Sequence, residues 1–271
     1  KYQWLSDGTK TRVVKSRLCA RGFLDAQGKL LTTRATTATR LSQRLLVSLS
    51  VIFGLKLETR DVSGAFLKGS PFKKVEQHLK AKGFTAPQRE VSIVPPAHVW
   101  RHLRELGSNI QIEQKNIFWY VLLCLKPMYG LNDAPLAWQL VQNDYFTKKR
   151  HAIQSAFDDC FYFWAKRPGE IEAMAASHVD DNVVAAEQPW LDTEFKAFSD
   201  HFGGATKHAL PFTHTGVGYE DTDRGRKQQQ DEFCQKLKPY PLTRQRAVQD
   251  TSDLSDIELT GYRGVLGALL W

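Results

Sequence analysis

The chain has 271 residues, and its 42% hydrophobic and 24% charged residues are typical of a globular protein large enough to bury a core. Its 37 lysines and arginines against 29 acidic residues give a net charge of +8, which favours a polyanionic partner without requiring one. The four cysteines are scattered without a CxxC pair, and no apolar run is long enough to span a bilayer. Zinc-finger, disulfide-framework and membrane-spanning classes are therefore disfavoured.

The basic N-terminal region predicts a β-hairpin. Residues 13–23 alternate like a strand, and the turn at 25–28 predicts pairing with residues 29–33. The cations on one face of the first strand include Lys15, Arg17 and Arg21. Such a face is either solvated or able to bind phosphate oxygens, and the pattern leaves both interpretations open.

A packing helix is predicted next. Thr39 can cap it, it runs to about residue 53, and Gly54 ends it. The stripe predicted to be buried consists of Leu41, Leu45, Leu49 and Ile52.

The following strand ends on a carboxylate. Residues 55–61 alternate so that Asp61 closes an inward apolar row, where a carboxylate is costly unless it is paired or binds a metal. Capping a helix is the alternative role for Asp61. Small residues at 63–65 leave space for a ligand before the bulky Phe66.

The middle of the chain carries fewer signals. Residues 68–116 are dominated by charged residues and predict surface structure without chemistry, including a short strand near 91–94 and a short helix at 97–106. Residues 118–126 predict a buried strand, after which Asp133 can cap a helix. Asp158 and Asp159 predict a loop or cap.

An acidic hairpin dominates the second half. Residues 175–186 are small or β-branched and flank the step Asp180, Asp181, Asn182. The aspartates either only make the turn or also present two carboxylates to divalent cations, and this stretch alone does not choose between these alternatives.

The remaining elements complete an α+β pattern. A helix at about 191–202 ends at a glycine pair, a hairpin spans about 214–219, a polar helix covers 230–238, and a last helix follows Ser252 and Ser255. Hairpins predict a mostly antiparallel sheet with helices packed on one face. The chain starts at Lys1 and ends inside an apolar helix, so we expect a segment of a longer protein.

Five blocks carry a family resemblance. They are KSRLCARGF (15–23), RDVSGAFLKG (60–69), KPMYGLNDAPLAW (126–138), SHVDDNVVAA (177–186) and YRGVLGALLW (262–271). In this order they resemble the reverse transcriptase of copia-type LTR retrotransposons, the polymerase segment of the Pol polyprotein, from about residue 15 to residue 271.

The resemblance implies a right-hand polymerase. Its palm would be an antiparallel sheet backed by helices, with β-hairpin fingers and a partial thumb. Fingers are expected at about 10–54, palm with a primer-grip hairpin at 55–70 and 117–225, a variable insertion at 71–116, and the start of the thumb or connection at 226–271.

It also implies an activity, RNA-directed DNA polymerisation on an RNA or DNA template with two Mg²⁺ ions, for which Mn²⁺ can substitute. The implied catalytic residues, which with the Val62 carbonyl also bind the metals, are Asp61, Asp180 and Asp181. The implied nucleotide-binding residues are Lys15, Arg21, Phe66, Asp133 and Lys207. The implied primer and template contacts are Arg17, His178, Gly216 and Gly218.

The implied partners are a template-primer duplex and dNTPs, with no membrane. RNase H and integrase segments would belong to the same polyprotein, in a cytoplasmic virus-like particle or the nucleus.

Three departures from the family bear on activity. His178 stands where the family has tyrosine, Asp133 stands where it has a glutamine near the nucleotide, and the stretch 72–118 is longer than expected. An aspartate beside a triphosphate would repel it unless it turns away to cap the helix. The alternatives are a decayed or repurposed copy that binds nucleic acid without polymerising, and another two-metal enzyme such as a nuclease.

Overall fold

The computed structural model describes residues 2–4, 10–12, 17–31, 35–105, 107, 119–248 and 252–270. The chain divides into two units, Lys1–Lys207 and His208–Trp271.

In the first unit the strands are β1 (Tyr2–Trp4), β2 (Lys10–Arg12), β3 (Lys56–Val62), β4 (Val91–Ile93), β5 (Leu122–Cys124), β6 (Ile153–Gln154), β7 (Phe161–Arg167), β8 (Glu170–His178), β9 (Asp181–Ala186) and β10 (Ala205–Ala209), which crosses the unit boundary. Its helices are α1 (Arg40–Ile52), α2 (Phe72–Ala81), α3 (Ala97–Glu105), α4 (Ala134–Asp144) and α5 (Gln188–Phe202). Short 3₁₀ turns lie at Gly22–Leu24, Gln27–Leu30 and Ala65–Lys68.

One sheet organises this unit, with the order β10-β3-β9-β8-β7-β6 and antiparallel pairing from β3 through β6. Its central strands are buried on both faces because α1 packs on one face while α4 and α5 cover the other. Small residues make this possible: Ala173, Ala175, Ala185 and Ala186 are all buried. The predicted α+β class with antiparallel sheet is confirmed, whereas the predicted packing of the helices on one face is wrong, because α1 covers the face opposite α4 and α5.

Helices α4 and α5 agree with their sequence patterns. Trp138 of α4 and Tyr145, which directly follows α4, pack with Phe198 and Phe202 of α5 in the main core. Gly203, in the left-handed conformation at φ 63°, ends α5 as expected.

The predicted N-terminal hairpin is wrong in the described residues. Residues 17–21 form no strand, and the segment that should pair with them is the 3₁₀ turn Gln27–Leu30. Two hydrogen bonds explain the difference: Ala20 N–H donates to the Tyr129 carbonyl at 2.7 Å, and Gly28 N–H donates to the Asp25 carboxylate at 2.9 Å. Residues 13–16 and 32–34 lie outside the described residues.

The buried stripe predicted for α1 is also wrong, although its Thr39 cap and its end at Gly54 are confirmed. Leu41 is 76% exposed and Ile52 is 71% exposed. The buried face consists of Ser42, Gln43, Leu46, Val47 and Ser50. The Ser42 hydroxyl donates to Asp158 at 2.5 Å and thereby turns this face towards the sheet.

Two predictions for the middle of the chain need correction. The 68–116 region is not only surface, since α2 buries Phe72, Val75 and Leu79, and the Arg89 side chain is buried as well. The predicted buried strand at 118–126 shrinks to β5, and Trp119 is 84% exposed. The short strand and the short helix predicted in this region correspond to β4 and α3.

The second unit contains β11 (Phe212–His214), β12 (Val217–Thr222), β13 (Gly225–Gln229), α6 (Asp231–Lys236), α7 (Arg244–Val248) and α8 (Asp256–Leu270). The three strands form an antiparallel sheet in chain order. Ser255 and Glu258 make a capping box, with Glu258 N–H donating to the serine hydroxyl and Ser255 N–H donating to the carboxylate. The predicted hairpin and both predicted helices of this region are confirmed.

Within the described ranges, none of the helices combines the length and hydropathy needed to cross a membrane.

Candidate active site

The tip of the β8–β9 hairpin is a two-residue turn. His178 and Asp181 form the closing pair, and Val179 and Asp180 lie between them. Val179 has φ 57°, a conformation that costs a β-branched residue on the order of 1–3 kcal/mol. The indole N–H of Trp138 donates to the Val179 carbonyl at 2.7 Å, which ties the strained turn to α4.

Three of the predicted site residues form a row across the sheet. Asp61 of β3 pairs directly with Asp181 of β9, and Asp181 pairs in turn with His178 of β8. Directly opposed residues of antiparallel strands point to the same face, with Cβ atoms about 4.5–5.5 Å apart. Val62 N–H also donates to the Asp180 carbonyl at 3.3 Å. The predicted acidic residues therefore meet at one end of the sheet.

The carboxylates of this site repel one another. Burial raises the pKa of Asp181 to about 6, with further increases from the charges of Asp180 and Asp61. Burial likewise raises the pKa of Asp180, and Asp61 adds to it, whereas the charges of Arg17 and His178 oppose the shift. A positive charge placed among these carboxylates would relieve the repulsion.

The donor set is chemically suited to hard divalent cations, which bind carboxylate and carbonyl oxygens. Asp61, Asp180 and Asp181 could supply the carboxylates, and the Val62 carbonyl could supply a further oxygen. As the side chains stand, the described part of the chain holds no group of three His, Cys, Asp or Glu side chains close enough to grip one metal ion.

Asn182 holds the hairpin in place and was missed as a functional residue. It is fully buried, and its side-chain oxygen accepts hydrogen bonds from Ser177 at 2.6 Å and from Gln142 of α4 at 3.0 Å. The available signal was a polar residue directly before an apolar strand. These bonds fix the position of Asp181, its neighbour in β9.

His178 is half-buried. Burial lowers its pKa, the charge of Arg40 lowers it further, and Asp180 opposes the shift. The imidazole is therefore predominantly neutral near neutral pH.

An aromatic contact connects Phe66 to Arg17. The Phe66 and Tyr129 ring centroids are 5.2 Å apart, and the Arg17 guanidinium lies 5.3 Å from the Tyr129 centroid. Because Arg17 also lowers the pKa of Asp180, its charge acts on the carboxylate site. Tyr129, which the sequence pattern did not single out, brings these two predicted residues together.

The other predicted cations are not brought to the carboxylates. Lys15 lies outside the described residues. Arg21 is exposed and lines a cleft of about 830 Å³ with Trp100 and Leu131, and none of the three carboxylates lines it. Lys207 donates to Asp192 at 2.7 Å and lies 3.8 Å from Glu58, on the α5 side of the sheet. Strand alternation turns Glu58 away from the face that carries Asp61.

Asp133 does not act as expected. It precedes α4 without a side-chain cap and is 0% exposed. Its carboxylate instead accepts a hydrogen bond from Arg89 at 3.0 Å. Burial raises the pKa of Asp133, against the opposing charge of Arg89. The aspartate thus turns inward, and its partner is an arginine rather than the helix end.

Gly216 and Gly218 lie in the second unit. Gly216 has φ 75° in the β11–β12 turn, where glycine avoids strain. Gly218 pairs with Thr213 and Gln229, and a Cβ there would lie 3.2 Å from the Gln229 side chain. The predicted hairpin exists, while its contact with a primer stays a prediction.

Comparisons with known proteins do not assign the chain to a family. No protein-family model matches the chain, and no curated protein sequence matches it significantly.

Proposed function

We propose that the chain is the polymerase segment of a copia-type retrotransposon reverse transcriptase, which adds dNTPs to a primer 3′ end on an RNA or DNA template. The pairing of Asp61 with Asp181 carries the proposal. It joins two blocks 120 positions apart that the family resemblance assigns to one metal site. Phosphoryl transfer needs such converging carboxylates, whereas a turn-making role for Asp180 and Asp181 would not require Asp61 beside them.

The proposed cofactors are two Mg²⁺ ions, for which Mn²⁺ can substitute. Asp61, Asp180, Asp181 and the Val62 carbonyl would hold them. When bound, such ions activate the attacking primer hydroxyl and neutralise the pyrophosphate that leaves. The pKa of Asp181 is raised first by burial and then by repulsion from Asp180 and Asp61, and this repulsion supports the assignment because a bound cation would remove it.

The surrounding side chains supply orientation and selectivity. Arg17 offers a cation beside the acidic site, suited to a triphosphate or a primer-template phosphate. Phe66, held against Tyr129, supplies the bulk expected to exclude a ribose 2′-hydroxyl. His178, predominantly neutral and at the end of the acidic row, offers a flat ring for a primer terminus. The net charge of +8 favours a nucleic-acid duplex as partner.

The decisive experiment is primer extension on an RNA template with Mg²⁺ or Mn²⁺. It compares wild type, Asp180→Asn and Asp200→Asn, the last being an exposed aspartate of α5 that serves as a matched control. We expect extension by wild type and Asp200→Asn, and loss of extension in Asp180→Asn. Equal extension by all three proteins would refute the site. Duplex binding without any wild-type extension would favour the non-polymerising alternative.

A further inference from the structure

Arg89 binds two acidic residues from distant parts of the chain. Its side chain is 3% exposed and makes a bidentate contact with Asp25, at 2.8 Å from Nη1 to Oδ1 and 2.5 Å from Nη2 to Oδ2. Its Nε donates to Asp133 at 3.0 Å, and its guanidinium lies 5.5 Å from the centre of the Phe72 ring. The arginine therefore joins the turn at Asp25 to the start of α4.

This junction is built for one planar, forked cation. The bidentate and the single contact use three different nitrogens of the guanidinium, a geometry that lysine cannot reproduce. Gln27 adds to the junction by accepting from Glu90 N–H at 3.3 Å and donating to the Gln88 carbonyl at 3.3 Å. Without Arg89, the fully buried Asp133 would lose its partner.

The junction at Arg89 ties together the ends of two segments that contact each other. Asp133 closes the loop that begins at Tyr129, and Asp25 closes the segment that begins at Arg17. Between these ends, Ala20 N–H donates to the Tyr129 carbonyl at 2.7 Å. The backbones approach so closely that a Cβ on Gly22 would lie 1.9 Å from the Gly130 carbonyl oxygen, and a Cβ on Gly130 would lie 2.0 Å from that of Ala20.

The same loop and segment carry the side chains beside the carboxylates. Tyr129 contacts both Phe66 and Arg17, and Phe66 follows closely after β3, the strand that carries Asp61. A shift of the loop would therefore displace the ring against Phe66 and the guanidinium next to it. Arg89 itself is sealed between acidic partners and cannot reach a substrate.

We infer that Arg89 is a positioning residue for the proposed nucleotide site. It locks the 129–133 loop against the 17–25 segment and so sets where Arg17 and Phe66 meet an incoming nucleotide. This inference rests on the proposed polymerase function. It also explains how an aspartate is accommodated at position 133, because Arg89 binds the carboxylate and keeps it inside the protein.

The test compares Arg89→Met with Arg150→Met. Arg150 likewise neutralises a buried carboxylate, contacting Glu194 of α5 at 2.5 Å, while its own side chain is 35% exposed. Both variants should lower Tm, since each removes the arginine partner of a buried carboxylate. Single-nucleotide extension should show KM for dNTP raised about tenfold or more in Arg89→Met, with kcat changed less than about threefold. Arg150→Met should keep the wild-type KM, and Arg89→Lys should fall between.

The inference is overturned if KM is unchanged in Arg89→Met, or if it rises equally in both methionine variants and so only follows stability. If Arg89→Met does not fold, Asp133→Asn replaces it. That variant keeps the size of the side chain but weakens its bond to Arg89, so KM should rise about threefold or more. An unchanged KM in Asp133→Asn would then overturn the inference.

Hydrogen exchange separates this inference from the polymerase proposal. Exchange of the Ala20 amide, which reports the bond to Tyr129, should be about tenfold faster in Arg89→Met than in Arg150→Met. If wild type extends no primer, this measurement alone decides. Faster exchange in Arg89→Met then supports the locking role of Arg89, and only the proposed polymerase function is refuted. Equal exchange in the two variants overturns the inference.

Discussion

Asp61 and Asp181 face each other across the β3–β9 ladder, close to the strained hairpin tip that presents Asp180. Two like charges directly opposite on neighbouring strands destabilise a sheet. In this protein, the repulsion between Asp61 and Asp181 lowers the stability of the sheet at the place where the two carboxylates could bind a cation. Four measurable consequences follow from the geometry.

The first consequence concerns pH. The pKa of Asp181 is raised from 3.8 to about 6 in the folded protein, so the folded state holds the proton more tightly than the unfolded state. The associated stability is present below pH 3.8 and is lost as the pH rises through about 6. In metal-free buffer, Asp181→Asn should therefore have a higher Tm than wild type near pH 8, and the difference should vanish in acid. Thermal melting followed by circular dichroism tests this, and a constant difference across pH would contradict it.

Divalent cations should stabilise the wild-type protein. A ligand that binds only the folded state at about 100 times its Kd adds about 2.7 kcal/mol to the free energy of unfolding. We expect Mg²⁺ or Mn²⁺ to raise Tm at neutral pH and a chelator to reverse the effect. Asp61→Asn should respond much less, and NaCl at matched ionic strength controls for screening. An equal response from both proteins would exclude Asp61 as a ligand.

Removing the Phe66 ring should relax sugar selection. Phe66→Ala leaves space where the ring now packs against Tyr129, so discrimination against rNTPs should fall about tenfold or more. The measurement is the ratio of kcat/KM for dNTP and rNTP in single-nucleotide extension. Leu67→Ala, a truncation of the exposed next residue, is the matched control and should keep the wild-type ratio. Unchanged discrimination between dNTP and rNTP in Phe66→Ala would refute the proposal that Phe66 excludes the ribose 2′-hydroxyl.

The indole of Trp138 should matter for activity beyond its effect on stability. Trp138→Phe removes the donor to the partly buried Val179 carbonyl, and the loss of such a hydrogen bond costs about 1 kcal/mol. Trp164→Phe loses an equivalent bond, which the indole N–H donates to the Arg150 carbonyl at 2.8 Å, away from the hairpin tip. Urea denaturation should show similar losses for both variants, while primer extension should fall much further in Trp138→Phe. Equal activities would mean that the tip does not depend on this bond.

Local patterns predicted the elements that are stabilised by neighbouring residues. Thr39 caps α1 through the amide three positions on, and Gly203 ends α5 because its own backbone is left-handed. The acidic hairpin follows from small and β-branched runs around a polar step. In each case the interacting groups lie a few positions apart, so the sequence contains the whole interaction.

Other predictions failed because long-range partners decide them. The exposed face of α1 is the more apolar one, since Ser42 bonds to Asp158, 116 positions away. Asp133 leaves the helix end for Arg89, 44 positions away in a segment predicted to be inert. In residues 17–21 the predicted N-terminal strand is replaced by an irregular segment because the Ala20 amide bonds to Tyr129.

The sequence by itself determined the α+β class, the acidic hairpin and the residue types for a metal site, because periodicity and turn chemistry act over a few residues. Only the tertiary structure decided that Asp61 stands opposite Asp181, that Tyr129 joins Arg17 to Phe66, and that Arg89 neutralises Asp133. Strand register and buried charge pairing decide these contacts. Strand register and buried charge pairing both depend on which distant segments of the chain pack together and exclude water.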